Sequence, residues 1–134
     1  MKIPRAIVVA SILALIVGAG LAVMGALAGT TSTRVTMTEV EYKLTLSRTH
    51  VSAGKTTLVV VDKGKLAHSL SISGPGLNKR LIAGTIKPGT SRTVTVTLKA
   101  GSYTLWCPVP GHAALGMKTT LKAGSSSGGG GGWG

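Results

Sequence analysis

The chain has 134 residues, fifteen basic against three acidic, a formal charge of +12, no Phe and only 3% aromatic residues. That length allows one domain once its ends are set aside, and a core drawn from Val, Leu, Ile and Thr suits strands. The single cysteine excludes an intrachain disulfide, singly scattered cations with few aromatics exclude a nucleic-acid stacking surface, and no nucleotide loop, catalytic triad or paired-carboxylate motif is present.

Lys2 and Arg5 precede an uncharged apolar run over residues 6–28 that ends in Ala26-Leu27-Ala28-Gly29. Basic residues, an apolar core and a small-residue site describe a signal peptide. The run is also long enough to span a bilayer, so residues 1–28 are a signal peptide or an N-terminal membrane anchor, helical in either case. Both outcomes export the rest of the chain, since the positive end stays inside. Residues 29–34 are small and polar and read as a short linker.

A folded domain is expected over residues 35–123. Val35 to Leu46 alternates with one shift of phase and reads as a strand with a bulge near Thr38. A turn at residues 52–55 leads to the LVVV run before Asp62, which suits a strand covered on both faces. In AHSLSI, His68, Leu70 and Ile72 share an apolar face, so the imidazole should enter the interior; Gly74-Pro75-Gly76 ends that strand. A further short strand is expected over residues 81–86, then a turn at Lys87-Pro88-Gly89, an alternating strand over 93–98, the strand leading to Cys107, and a last one over 117–121. Seven or eight short strands without a helical period predict an all-β sandwich of Greek-key type. Residues 124–134 are almost wholly Gly and Ser and read as a flexible tail.

The stretch GSYTLWCPVPGHAALGM, residues 101–117, carries the chemistry. Tyr103, Leu105 and Cys107 point to one face of a strand, and Ser102, Thr104 and Trp106 to the other. Pro108, Pro110 and Gly111 break the ladder, which lets the chain return His112 towards the sulfur, and Gly116 turns it again into Met117. Thiolate, imidazole and thioether form a soft donor set that suits copper and not magnesium or calcium. A second histidine is needed. His50 lies in a polar stretch beside a turn and reads as a surface residue, so the candidate metal site is His68, Cys107, His112 and Met117.

These residues resemble the small blue copper proteins, the cupredoxins of the plastocyanin and azurin type. The four-residue gaps from Cys107 to His112 and from His112 to Met117 are similar to those of the auracyanin and rusticyanin branches. The resemblance covers roughly residues 35–122 and implies one type 1 copper per chain, with His68, Cys107 and His112 binding it in a plane and Met117 as the distant axial ligand. The family commonly has Tyr where Tyr103 stands, and often Asn after the first ligand histidine, where this chain has Ser69.

By the same resemblance, His112 would lie near the surface among Pro108, Val109, Pro110, Ala113, Ala114 and Leu115. The expected function is single-electron transfer between redox partners by an exported, non-enzymatic, monomeric carrier, periplasmic, extracellular or on the outer face of the membrane. Trp106 offers a second electron route or packs the outer sheet face. Lys63, Lys65, Lys79 and Lys118 would steer an acidic partner. Copper transport or storage is the alternative; a catalytic copper domain would need more histidines than His50 can supply.

Overall fold

The computed structural model describes residues 32–124. The leader over residues 1–28, residues 29–31 of the linker and residues 125–134 of the tail lie outside the described residues. Among the described residues all regular structure is strand: β1 (Thr33–Val40), β2 (Lys43–Leu46), β3 (His50–Val51), β4 (Gly54–Asp62), β5 (Ser71–Gly74), β6 (Leu77–Arg80), β7 (Ser91–Leu98), β8 (Gly101–Trp106) and β9 (Lys118–Ala123). They form a four-stranded sheet, β2-β1-β4-β7, and a five-stranded sheet, β3-β9-β8-β5-β6. The chain passes repeatedly from one sheet to the other, which produces the all-β sandwich expected from the spacing of its turns.

The core follows the two-residue period of strands. Val35, Met37 and Glu39 of β1 and Thr56, Leu58, Val60 and Asp62 of β4 point inward. Ile72, Tyr103, Leu105 and Leu121 face them from the other sheet, all buried. Each large apolar side chain so buried contributes about 1.5–3 kcal/mol against exposure. Tyr103 also needs a partner for its hydroxyl, which donates to the carbonyls of Lys99 at 2.8 Å and Pro75 at 3.2 Å.

Four expectations about strands are corrected. Residues 35–46 are not one bulged strand but the hairpin β1–β2, with Val40 opposite Lys43 and Met37 opposite Leu46. The phase shift marked a turn at Glu41-Tyr42, and it looked like a bulge because Glu39, an inward residue, carries a carboxylate. β4 is not covered on both faces: Val59 and Val61 are only half-buried. The strand expected over residues 81–86 lies earlier, as β6, where the Pro75-Gly76 turn folds it straight back onto β5; of residues 81–86 only Ile86 makes a bridge, to His68. Nine strands replace seven or eight, because the first expected strand is divided into β1 and β2 and two-residue β3 is too short to show a period.

This scaffold places the chemistry at one end of the sandwich. His68 precedes β5 and is held by two backbone bonds to Ile86, N–H to carbonyl at 3.2 Å and the reciprocal at 2.8 Å. Ser71 of β5 pairs with Trp106 of β8, which sets the His68 segment beside the end of the cysteine strand. β8 and β9 are antiparallel, with Trp106 opposite Lys118, so their ladder grips both ends of the loop from Cys107 to Met117.

Candidate metal centre

The ligand loop contains no regular structure, yet backbone hydrogen bonds tie each of its three candidate ligands. The Cys107 N–H donates to the Met117 carbonyl at 3.0 Å, the Met117 N–H to the His112 carbonyl at 3.1 Å, and the His112 N–H to the Val109 carbonyl at 3.1 Å. Gly111 and Gly116 adopt φ of +83° and +115°, torsions that cost a residue with a Cβ about 1 kcal/mol or more. These are the two bends that return His112 to the sulfur and then start β9.

The structure brings His68, Cys107 and His112 together. The Nδ1 atoms of the two histidines are 3.2 Å apart, and the Cys107 Sγ lies 3.6 Å from His112 Nδ1 and 4.0 Å from His68 Nδ1. Cys107 and His68 are wholly buried and His112 is 8% exposed. Met117 is buried beneath the same loop and is joined through its backbone to both Cys107 and His112. His50 stands apart, exposed at the far end of β9, where it touches Thr49. Among the described residues no second group of three such donors is found.

The donor set fits one copper ion. Two imidazole nitrogens bound to a shared ion at about 2.0 Å each come to lie about as close as these Nδ1 atoms do, and one thiolate beside two imidazoles is the trigonal set of blue copper, completed by a weak methionine. Burial pushes the Cys107 thiol above its ordinary value, while the backbone N–H groups of Val109 and Ser69 pull the other way. The metal-free thiol therefore keeps its proton at neutral pH and gives it up on metal binding. The Ser69 hydroxyl donates to the Ile82 carbonyl at 3.1 Å, so it braces the segment after His68 and not the cysteine loop.

Two neighbours escaped the sequence reading. Glu41, in the β1–β2 turn, accepts the Nε2–H of His68 at 3.1 Å and the backbone N–H groups of Lys65 and Leu66 at 2.7 and 2.6 Å. The Leu66 N–H foremost, with smaller help from the Glu41 and Lys65 amides and His68, holds its carboxyl down at about 2 against the effect of desolvation. Tyr42 packs edge-on against the His112 ring, with centroids 5.1 Å apart and planes at 75°. Both fall inside the continuous strand expected over residues 35–46. The signal available was scarcity: the chain has three acids, and two of them flank this turn at 39 and 41.

Glu39 is fully buried opposite Asp62 of β4, and both of its carboxylate oxygens lack a partner. Burial, and then the Asp62 charge, raise it to about 8. Around the metal-site end, Val40, Tyr42, Leu66 and Leu115 are the exposed large apolar side chains, Leu115 at 61%. Trp106 points outward as the alternation requires and is half-buried.

The model of the copper-binding proteins of the plastocyanin/azurin family matches residues 28–124. No curated protein matches the chain by sequence. Among solved structures, the dithionite-reduced auracyanin of the photosynthetic bacterium Roseiflexus castenholzii is 21% identical and superimposes with a TM-score of 0.56, covering 70% of this chain and 98% of that one. An azurin, Az-iso2, from the methylotroph Methylomonas sp. strain J is 19% identical, with a TM-score of 0.53 over 70% of this chain and 99% of its own. The copper nitrite reductase of Nitrosomonas europaea is 20% identical with a TM-score of 0.54, but only 42% of its chain is covered. At these identities the structural likeness speaks for the fold alone.

Proposed function

This chain belongs to the plastocyanin/azurin family of copper-binding proteins, and from that premise we propose that it is an exported carrier of single electrons that holds one type 1 copper through His68, Cys107, His112 and Met117. The observation that carries the reading is the convergence of two Nδ1 atoms and one Sγ, all 3.2–4.0 Å apart, at a buried point of a rigid sandwich. Copper supplies the one-electron chemistry. The protein excludes water, holds Cys107 and both imidazoles in place before metal arrives, and surrenders the thiol proton. Because His68 is fixed by the sheet and Cys107 and Met117 by the β8–β9 ladder, the donors have little freedom to rearrange when the charge at the centre changes.

His112 is the donor nearest solvent, ringed by Tyr42 and the loop that carries Leu115, and a partner seated on this apolar rim would meet the site by its shortest path. Among the described residues no Lys or Arg forms an ion pair with a carboxylate, so the cations around the rim, Lys63, Lys65 and Lys118 among them, are free to steer an acidic redox partner. The apolar leader after Lys2 and Arg5 supports export. All three histidines are accounted for, two in the centre and His50 on the surface, which favours a carrier over a multi-copper enzyme.

Adding cupric ion to the metal-free chain should produce an intense blue band that ascorbate abolishes and air or ferricyanide restores. Cys107→Ser should fold, keep its strand signature and stay colourless. A colourless, redox-silent copper complex of the unaltered chain would contradict electron transfer and point to transport or storage instead.

A further inference from the structure

We propose that Glu41 is a positioning residue of the metal centre: its carboxylate, anchored by the backbone at 65–66, takes the Nε2–H of His68, presents Nδ1 to the metal and biases the centre towards the more highly charged ion. The proposal rests on the copper reading above and adds a residue to it that lies outside the four donors.

Three observations carry it. First, one oxygen of Glu41, Oε1, gathers three donors: the Lys65 and Leu66 amides and the His68 ring. The two amides fix the carboxylate independently of the imidazole, so the acceptor is in place before the ring arrives. An imidazole that gives its Nε2 proton to a fixed acceptor has its lone pair on Nδ1, and that is the atom facing Cys107 and His112.

Second, Gly64 is shaped to the carboxylate. A Cβ on Gly64 would strike the carboxyl group of Glu41, the three nearest atoms all belonging to that side chain. Its backbone lies outside the left-handed region that favours glycine, so the missing side chain leaves room for Glu41 and answers no torsional demand of the turn.

Third, in a chain of net charge +12, the carboxylate–nitrogen contact found within 4.0 Å between side chains of the described residues goes to an imidazole and not to a Lys or Arg. A charged acceptor raises the basicity of the imidazole it holds. A more basic ligand favours Cu(II) over Cu(I), which lowers the reduction potential. The two histidines are therefore unlike: among the described residues only Nδ1 of His112 has a side-chain partner, and no carboxylate holds its far nitrogen.

The test uses the full chain, with voltammetry and chelator competition on the copper-loaded form and nitrogen-15 NMR of His68 on the copper-free form. Glu41→Gln keeps the shape and an acceptor but loses the charge. It should weaken Cu(II) binding about tenfold while leaving Cu(I) binding unchanged, a rise of about 59 mV in potential. Glu41→Ala should cost 10- to 100-fold in Cu(II) affinity and release His68 into a mixture of tautomers. Gly64→Ala should shift the potential in the same direction, and should have no further effect when combined with Glu41→Ala.

Wild-type potential and Cu(II) affinity in both Glu41 variants, with His68 still a single Nε2–H tautomer, would overturn the proposal. A wild-type chain that binds copper without the blue band would overturn the copper reading instead. The tautomer of His68, read without metal, judges the role of Glu41 separately.

Discussion

The two histidines of the centre occupy opposite kinds of ground. His68 is wholly buried, bonded through its backbone to Ile86 and through its far nitrogen to Glu41. His112 sits on a loop made only of turns, between two glycines with positive φ, its ring lying against Tyr42 at the apolar rim. One side of the site is built for constancy and the other for access. The proposed electron carrier needs both, since the geometry at the metal must not change with charge while electrons still need a short route out.

Deleting each ring in turn should separate the two sides by the largest effect. In His112→Gly the vacated position opens towards solvent, and added imidazole should restore the blue band at millimolar concentration. In His68→Gly the gap is enclosed by the sheet and closed off by Glu41, and the same imidazole should fail. Visible spectroscopy during an imidazole titration of both variants decides it; equal rescue would mean that the two sides do not differ as described.

A smaller effect separates the two carboxylates that flank the β1–β2 turn. Glu39, raised to about 8 by burial and Asp62, keeps a proton in the folded state that the unfolded chain releases near 4.5. Its contribution is complete below about pH 4.5 and is lost as pH rises through 8, on the order of a few kcal/mol for a shift of this size. Glu41, lowered to about 2 chiefly by the Leu66 amide, works in reverse: its contribution is present above 4.5 and lost as pH falls through 2. Urea unfolding of the copper-free chain between pH 5 and 9 should show stability declining with pH, and Glu39→Gln should flatten that decline. A profile unchanged by Glu39→Gln would mean that Glu39 is ionised in the fold.

The constant side and the accessible side were also unequally legible in the sequence. Cys107, His112 and Met117 lie within eleven residues, so their meeting could be read from spacing and from the prolines and glycines between them. His68 was legible through its alternation with Leu70 and Ile72, and the structure buries all three. What the sequence hid are contacts between distant segments that leave no periodic trace. Glu41 reaches His68 across 27 positions because a two-residue turn happens to face the loop at 63–66, and a carboxylate in a strand pattern reads as a solvent-facing residue until its partner is seen. Glu39 was hidden by the same rule, which an inward acid held protonated by burial evades. Tyr42 falls inside the strand expected over residues 35–46 because a hairpin and a bulge shift the phase of alternation alike.

The proposed function requires two imidazoles and one thiolate to share a single ion. X-ray absorption at the copper edge, recorded on the full chain loaded with one equivalent of metal, tests that most directly. A shell of one short sulfur and two nitrogens, with the sulfur lost in Cys107→Ser, is the predicted result; a shell of nitrogen and oxygen alone in the unaltered chain would contradict it.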